Sequence, residues 1–157
     1  MQKTALFPGS FDPFTIGHES IVKRALPLFD KIIIAIGYNT TKEGYFSLED
    51  RLKWIKVVFE KENKIEVTSF KGLTVDYCRE VDANYILRGL RTAADFEYER
   101  AVAQMNRNMS PSLESVFLLT LPEHTHINST IVREIIRLGG NADAFLPEKI
   151  RNKVKSV

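Results

Sequence analysis

The residues best suited to chemistry lie in one short segment near the start of the chain. Residues 8–18 read Pro-Gly-Ser-Phe-Asp-Pro-Phe-Thr-Ile-Gly-His. Gly9 lacks a Cβ, which would let a phosphate approach the backbone, and Ser10 adds a hydroxyl and an amide. Gly17 and His18 open a predicted helix, whose N-terminal amides favour an anion. An incidental surface histidine would explain His18 alone. The whole string instead favours a nucleoside triphosphate site in which His18 donates hydrogen bonds to phosphoryl oxygens.

A second group of candidates is the string Arg-Gly-Leu-Arg at residues 88–91. Two guanidinium groups around a glycine suit bidentate contacts to phosphate. The alternative role is ion pairing with the next predicted helix, and Arg91 and Asp95 have the i,i+4 spacing for it. We interpret Arg88 and Arg91 as functional and assign Asp95 and Glu97 to structure.

A third candidate segment, residues 124–130, reads His-Thr-His-Ile-Asn-Ser-Thr. Ser129 or Thr130 at a helix start would be an ordinary N-cap, and for the segment taken alone this alternative is as good as a ligand contact. The alternating His124 and His126 could suggest a metal site. Neither a thiolate nor a third clear ligand accompanies them, so we reject zinc and predict no metal ligands.

Several catalytic motifs are missing from the sequence. It has no Gly-x-Gly-x-x-Gly fingerprint, no Gly-Lys-Ser/Thr loop and no apparent Ser–His–Asp or Cys–His arrangement. A reaction carried by positioned cations and backbone donors needs none of these. If the nucleophile is itself a phosphate, it is already ionised near neutral pH, and no general base is required.

The elements that must position these residues are short apolar strands alternating with longer helical patterns. The predicted strands are Thr4–Phe7, Lys31–Ile36, Lys64–Ser69, Tyr85–Arg88 and Ser115–Thr120. The predicted helices are Gly17–Leu26, Leu48–Phe59, Thr74–Glu80, Ala94–Asn108 and Ile131–Leu138. This alternation predicts an α/β fold: a single Rossmann-like domain over residues 1–157, with a five-stranded parallel sheet and helices on both faces.

Local signals mark several helix ends. Ser47 is positioned as a cap whose hydroxyl accepts an early backbone N–H. Gly139 and Gly140 end the helix before them, and Pro147 suits the first turn of a last helix. The stripe expected to face the core in the helix after Ser47 consists of Leu48, Leu52, Ile55 and Phe59.

Ligands of a parallel sheet bind beyond the carboxyl ends of its strands. Polar or small residues follow all five predicted strands, and they are Gly9, Ser10, His18, Asn39, Thr40, Lys42, Lys71, Gly72, Thr74, Arg88, Gly89, Arg91 and residues 124–130. Five strand ends therefore converge on one rim that suits a phosphorylated ligand.

Composition narrows the class of protein. The chain has 157 residues and a formal net charge of +2, which argues against a large nucleic-acid surface. Cys78 is the only cysteine, so no intrachain disulfide can form, and a buried apolar role in a reducing compartment is expected. No apolar run approaches the roughly 20 residues that span a bilayer. We expect a soluble, cytoplasmic protein that binds neither nucleic acid nor a membrane.

Together these residues resemble a known family. The chain is similar to the bacterial phosphopantetheine adenylyltransferases, members of the nucleotidyltransferase superfamily marked by a Thr/His-x-Gly-His motif. The motif here is Thr-Ile-Gly-His at residues 15–18, and by itself it supports only the superfamily. The family's further landmarks occur in order at residues 8–13, 86–91, 95–99, 105–107 and 113–118.

The resemblance implies transfer of AMP from ATP to 4′-phosphopantetheine, giving dephospho-coenzyme A and pyrophosphate. The substrate phosphate would attack the α-phosphate of ATP in line, with Mg²⁺ on the triphosphate. The resemblance also implies a homohexamer, and dephospho-coenzyme A or coenzyme A as a product or feedback ligand.

Two alternatives differ in acceptor or in class. A nucleotidyltransferase with another acceptor, such as nicotinate mononucleotide or glycerol phosphate, does not account for Arg88 and the Asp-Phe-Glu-Tyr-Glu string at residues 95–99. A non-catalytic nucleotide-binding module does not account for the complete set of His18, Lys42, Arg88 and Arg91.

Site residues carry over from the family by position. Those implied to be catalytic are His18, Lys42 and Arg91. Those implied to contact ATP are Ser10, Phe11, His18, Gly89, Leu90, Arg91, Glu99, His124, Thr125, His126, Ile127, Asn128, Ser129 and Thr130. Those implied to hold the pantetheine substrate are Ser10, Lys42, Leu73, Thr74, Arg88, Met105 and Asn106. One departure is Asn128, which stands where the family usually has serine, although an amide can still donate to phosphate.

Overall fold

Strands and helices alternate along residues 1–155, the part of the chain that the computed structural model describes. The strands are β1 (Thr4–Gly9), β2 (Lys31–Gly37), β3 (Ile65–Phe70), β4 (Tyr85–Leu90) and β5 (Glu114–Leu119). The α-helices are α1 (Ile16–Ala25), α2 (Leu48–Val58), α3 (Thr74–Glu80), α4 (Ala93–Met109) and α5 (Ser129–Arg137). Every predicted strand and helix down to residue 138 is present, with ends within two residues of the predicted ones. The predicted domain, 1–157, extends past the described residues.

The five strands form one parallel sheet in the order β3-β2-β1-β4-β5. This confirms the predicted Rossmann-like α/β fold. From β1 the chain moves outward through β2 and β3, and then returns to the other side of β1 to form β4 and β5. Ligands of such sheets bind at this reversal point, beyond the carboxyl ends of the strands.

A crevice opens at the reversal point because β1 leaves β4 early. β1 pairs with β2 along all six of its residues. With β4 it pairs over two residues, and that ladder ends at Leu6 opposite Ile86. The last residues of β1, from Phe7 to Gly9, therefore separate from β4, and the space between the two strand ends becomes available to side chains and ligands.

The side chains of β2 show why helices cover both faces of the sheet. Ile32, Ile34 and Ile36 belong to one buried cluster, whereas Ile33 and Ala35 belong to a second cluster on the opposite face. A strand that is apolar on both faces is typical of a parallel sheet between two helical layers. The run of isoleucines therefore has the pattern that this architecture requires.

The predicted core stripe of α2 is confirmed, with one addition. Ile55 and Phe59 are buried, and Leu48 and Leu52 pack partly buried against the same cluster. The same helix also carries a buried charged residue, Arg51, which the apolar pattern did not predict. Its hydrogen-bond partners lie at the ligand edge of the sheet.

The predicted helix ends hold at two places and fail at a third. The Ser47 hydroxyl accepts the Asp50 N–H at 3.0 Å, and Gly139, at φ +79°, follows the last turn of α5. The predicted α-helix after Pro147 is wrong, since a single 3₁₀ turn, Glu148–Ile150, forms there. So short a segment gains little from helix propagation, and it is held by burial of Ile150 in the core.

Residues 1–155 also provide observations on Cys78 and on membrane-spanning helices. Cys78 is buried, and burial raises the pKa of its thiol to about 11, so its predicted role as a small buried side chain is confirmed. None of the helices in this range combines the length and apolar character needed to cross a membrane.

Candidate active site

Two cavities open at the carboxyl edge of the sheet, on either side of Arg88 and Glu99. The larger has a volume of about 560 Å³ and the smaller about 280 Å³. Pro8, Gly9, Arg88, Tyr98 and Glu99 line both of them. Ligands in the two cavities would therefore meet at the crevice between β1 and β4.

The larger cavity collects most of the residues predicted to contact ATP. Its lining includes Ser10, Phe11, His18, Gly89, Arg91, Glu99, His124, Ile127, Asn128, Ser129 and Thr130. Leu90, Thr125 and His126, from the same prediction, lie outside this lining. The side chain of Leu90 is buried in the fold, and the His126 ring packs 6.3 Å from that of Phe145.

His18 lies among three phenylalanine rings at the wall of the larger cavity. Its ring centroid is 5.0 Å from that of Phe11, 5.3 Å from Phe14 and 6.4 Å from Phe7. Burial lowers the pKa of His18 to about 3, and the positive charges of Arg88 and Arg91 act in the same direction. The imidazole of the free protein is therefore neutral near pH 7.

The start of α1 orients the His18 ring. Thr15 caps the helix and accepts the His18 N–H at 3.4 Å, while the Thr15 N–H donates to His18 Nδ1 at 3.0 Å. Because Nδ1 is an acceptor here, the neutral ring carries its proton on Nε2. Sequence reasoning missed this reciprocal capping box. A Thr-x-x-His spacing, analogous to the usual Ser/Thr-x-x-Glu/Gln pattern, was the available signal.

Packing within the protein leaves no room for a side chain at Gly9. A Cβ added at Gly9 would lie 2.8 Å from Cζ of Phe11, whose ring is buried. The space beside Gly9 is thus filled by protein. Gly17 differs, because its added Cβ would meet Thr15 Oγ1 at an ordinary 3.5 Å. Both glycines line the larger cavity.

Arg88 is held in place on three sides. Its Nη2 and Nε donate to Glu99 Oε1 and Oε2 at 2.7 and 3.0 Å, which makes the contact bidentate. Its Nη1 donates to Pro8 O at 2.6 Å, across the crevice between β4 and β1. The ion pair with the next helix, considered above as an alternative to a functional role, is therefore present. Because the Arg88–Glu99 pair lies between the two cavities, it also fixes the plane of the guanidinium group there.

Arg91 likewise has structural partners at the wall of the larger cavity. Its backbone N–H donates to Asp95 Oδ2 at 3.1 Å, its Nε lies 3.4 Å from the same oxygen, and its Nη1 donates to Ile127 O at 3.2 Å. Glu97 pairs with Arg100 on the exposed side of α4. Asp95 and Glu97 thus make the kind of pairing that the structural assignment requires, and Asp95 also lines the larger cavity.

Asn128 caps α5, so neither Ser129 nor Thr130 has the capping role that was the alternative to a ligand contact. Asn128 Oδ1 accepts the Ile131 N–H at 2.8 Å, because the side chain of the residue just before the helix reaches the N–H three residues on. The Ser129 hydroxyl instead donates to Pro13 O at 2.9 Å. The start of α5 is thereby tied to the loop after β1, with its N-terminal amides beside the larger cavity.

The smaller cavity receives part of the set predicted to hold the pantetheine substrate. Thr74, Arg88 and Asn106 line it. Ser10 lines only the larger cavity. Leu73 and Met105 are exposed outside both cavities, as is Lys42, on the segment between β2 and α2.

Two buried charged residues behind the larger cavity escaped the sequence reasoning. Asp12 and Arg51 are both buried, and burial lowers the pKa of Arg51, an effect that the negative charge of Asp12 partly offsets. Asp12 accepts hydrogen bonds from the backbone of Tyr45 and Phe46, 33 and 34 residues away. No local spacing signals partners at such a distance. Within residues 1–155, no group of three His, Cys, Asp or Glu side chains could hold a metal ion.

Comparison with known proteins places the chain in a family. A family model described as cytidylyltransferase-like matches residues 6–135. A phosphopantetheine adenylyltransferase from Flavobacterium psychrophilum is 52% identical over 151 residues, which are 96% of this chain and 99% of that protein. The chain belongs to this family. A further member, from Christiangramia forsetii, is 50% identical with the same coverage, and the chain is accordingly a nucleotidyltransferase.

Solved structures of much lower identity share the fold. A bifunctional NMN adenylyltransferase/ADP ribose pyrophosphatase from Francisella tularensis superposes with a TM-score of 0.72 at 18% identity, over 93% of this chain and 45% of that one. This chain thus spans a little under half the length of the Francisella protein. A structure from Vibrio parahaemolyticus gives a TM-score of 0.70 at 16% identity, over 97% of both chains. At these identities the likeness concerns the fold alone.

Proposed function

We propose that the chain transfers AMP from ATP to 4′-phosphopantetheine, giving dephospho-coenzyme A and pyrophosphate. One observation carries this proposal: two cavities meet at the Arg88–Glu99 pair, beside His18. A transferase that joins a nucleotide to a second phosphorylated substrate needs two adjoining sites with a cation at their junction. Family membership supports phosphopantetheine as the second substrate.

ATP is proposed to occupy the larger cavity. Its volume of about 560 Å³ lies within the range of roughly 300–1,000 Å³ usual for small-molecule sites. The first turns of α1 and α5 both border it, through His18 and Ser129, and helix N-termini favour anions. Arg91 adds a full positive charge. This combination suits a triphosphate.

The acceptor is proposed to extend from Arg88 into the smaller cavity. Arg88 would bind its phosphate, and the pantetheine arm, which is both amide-bearing and methylated, would lie along a lining of mixed character. The apolar part of that lining is formed by Phe70, Ile86, Val102 and Phe117, and the polar part by Thr74, Asn106 and Ser115.

The proposed chemistry is in-line attack of the acceptor phosphate on the α-phosphate of ATP, with pyrophosphate leaving. The attacking oxygen is already ionised, so no side chain has to remove a proton. His18 would donate from Nε2 to an α-phosphate oxygen, where charge develops in the transition state. Lys42 and Arg91 would share in neutralising that charge. Lys42 is exposed outside both cavities, so its part in the reaction requires its loop to close over the nucleotide.

Mg²⁺ is proposed to enter with ATP as part of the substrate. Its preferred ligands are hard oxygens, which the triphosphate itself supplies, and magnesium usually keeps several waters as well. The protein would then contribute cations such as Arg91 to the nucleotide and leave the metal to the phosphates.

A homohexamer is also proposed. All 17 residues of α4 lack full burial in the single chain, and this helix exposes the apolar side chains Phe96, Tyr98, Val102, Met105 and Met109. Contiguous exposed apolar surface is typical of an interface between chains. Multi-angle light scattering should give the mass of six chains.

Coenzyme A is proposed as a feedback ligand that competes with the acceptor. The proposed location is the cytoplasm, since the single thiol suits a reducing compartment.

The proposed reaction is tested by acceptor-dependent release of pyrophosphate. Purified protein is incubated with ATP and Mg²⁺, and phosphopantetheine is compared with nicotinate mononucleotide and glycerol phosphate at equal concentrations. We expect release with phosphopantetheine and a product with the mass of dephospho-coenzyme A. Equal or faster release with another acceptor would contradict the proposal.

A further inference from the structure

The segment that carries Lys42 is anchored to the fold at its ends. We name residues 38–46, between β2 and α2, the lysine loop. At its first end the Tyr38 N–H donates to Phe70 O at 3.1 Å. In the middle, Lys42 is exposed and its N–H reaches Asn39 O at 3.4 Å, within the same loop. The position of Lys42 relative to the cavities therefore depends on how the other end is held.

Asp12 holds that second end. Its Oδ2 accepts the Tyr45 N–H at 2.8 Å, and its Oδ1 accepts the Phe46 N–H at 2.9 Å. Asp12 is buried, so these bonds replace the water that a carboxylate otherwise requires. A carboxylate offers an oxygen to each of two consecutive donors, whereas an amide would turn its NH₂ group toward one of them.

Arg51 reinforces this anchor from α2. Its Nη1 donates to Ser10 O at 2.7 Å, and its Nε donates to Phe46 O at 3.1 Å. One guanidinium thus joins the loop after β1 to the lysine loop. A Cβ placed on Gly44 would lie 2.9 Å from Arg51 Nη2 and 3.1 Å from Asp12 Oδ2, so the two opposite charges face each other across that small space.

The main chain at Asp12 is also held from the side of the larger cavity. Arg133 Nη1 donates to Asp12 O at 2.7 Å, and the Ser129 hydroxyl donates to Pro13 O at 2.9 Å. Both donors belong to α5, whose first residues line that cavity. Asp12 therefore links the wall of the larger cavity to the lysine loop.

We propose that Asp12, supported by Arg51, is a positioning residue: it fixes the second end of the lysine loop, so that closure of the loop brings Lys42 to a nucleotide in the larger cavity. The inference rests on the catalytic role proposed above for Lys42. It requires Asp12 to matter for turnover only while Lys42 is present. A purely structural carboxylate would matter equally with or without Lys42.

A double-mutant cycle tests this dependence. The kcat of phosphopantetheine-dependent pyrophosphate release is measured for the parent, Asp12→Asn, Lys42→Ala and the double variant. We expect Asp12→Asn to lower kcat about tenfold in the parent and less than about twofold in the Lys42→Ala protein, because directly coupled groups are not additive. An equal fold-loss in both backgrounds would overturn the proposal.

A second measurement follows the loop without using the reaction. Trypsin cleaves after Lys42, and mass spectrometry reports the rate of that single cut. We expect Asp12→Asn to accelerate it several-fold, since release of Tyr45 and Phe46 opens the loop locally. Ser47→Ala is the matched control: it removes the cap of α2 one residue further on. It should lower the melting temperature while leaving the cut rate and kcat near parent values.

The other possible results of these two experiments also bear on the role of Asp12. If Asp12→Asn does not fold, Arg51→Lys replaces it in the same cycle and the same proteolysis. If Lys42→Ala retains the parent kcat, or Ser47→Ala behaves like Asp12→Asn, the positioning role is refuted while the proposed reaction stands. If the parent shows no phosphopantetheine-dependent release, the proposed function fails, and the cleavage rate alone decides whether Asp12 anchors the loop.

Discussion

Thr15 and His18 exchange hydrogen bonds in both directions at the start of α1, with Thr15 N–H on His18 Nδ1 at 3.0 Å and His18 N–H on Thr15 Oγ1 at 3.4 Å. The first of these leaves Nε2 as the protonated nitrogen of a neutral ring. The contact that begins the helix is therefore also the contact that selects the donor atom of His18. Substitutions of His18 can separate its contribution to fold stability from its proposed donation to phosphate. The first needs an acceptor for the Thr15 N–H, and the second needs the Nε2 proton.

His18→Gln and His18→Ala should separate the cap from the donor. Glutamine at this position can still accept the Thr15 N–H, as in the usual capping box, whereas alanine cannot. Both variants lose the imidazole Nε2–H, and we expect kcat to fall about 100-fold in each. Only His18→Ala should also show a lower melting temperature. A His18→Gln protein with near-parent kcat would contradict donation by the imidazole.

The low pKa of His18 makes the stability of the free protein depend on pH. The folded-state pKa is about 3, below the ordinary histidine value of 6.5, so between these values the unfolded chain binds a proton that the folded chain does not. The contribution of neutral His18 to the free energy of unfolding is fully present above about pH 6.5 and is lost as the pH falls toward 3.

Urea unfolding of the parent and of His18→Gln at pH 7.5, 6.0 and 5.0 checks this sign. The free energy of unfolding of the parent should fall more steeply with decreasing pH than that of the variant. Parallel pH dependences would show that His18 is not held neutral by its surroundings.

Arg88→Lys should impair use of the acceptor. Lysine keeps the charge but cannot make the bidentate contact to Glu99 while also reaching Pro8 O. Loss of a hydrogen bond to a charged group costs about 1.5–3 kcal/mol, which corresponds to roughly 10- to 150-fold in kcat/KM for phosphopantetheine.

Arg100→Lys is the control for the same chemical change. Arg100 pairs with Glu97 on the exposed side of α4, and such surface pairs contribute little. Steady-state kinetics of Arg100→Lys should match the parent. A similar loss in both variants would show that the effect of Arg88→Lys does not come from its contacts with Glu99 and Pro8.

Gly9→Ala and Gly17→Ala should fail in different ways. The added methyl group at Gly9 collides with the buried Phe11 ring, and overpacking of this kind costs about 1–3 kcal/mol of stability. The methyl group at Gly17 has room within the protein but projects where a ligand of the larger cavity would lie.

Thermal melts and the KM for ATP distinguish the two glycine variants. Gly9→Ala should melt at a lower temperature than the parent. Gly17→Ala should melt at or above the parent temperature, since alanine favours a helix, and should show a raised KM for ATP. An unchanged KM in Gly17→Ala would place the nucleotide away from the start of α1.

Local patterns in the sequence are enough to predict the order of the strands and helices and the edge of the sheet at which the site lies. The isoleucine run of β2, the Ser47 cap and the Gly139 stop each act over a few residues, so their signals can be seen along the chain. The rule that ligands bind beyond parallel strand ends then brings His18, Arg88 and Arg91 to one rim. The capping role of His18 could have been predicted in the same way, from the Thr-x-x-His spacing of residues 15–18.

Partners separated by many residues were set by tertiary folding alone. The Arg88 guanidinium donates to Pro8 O because β4 lies beside β1 in the sheet. Asp12 accepts the Phe46 N–H because the loop before α2 packs against the loop after β1. Gly9 owes its missing side chain to the Phe11 ring, which a positive φ at Phe11 folds back over it. Such contacts depend on where elements pack, and packing depends on the whole chain, so no spacing between neighbouring residues encodes them.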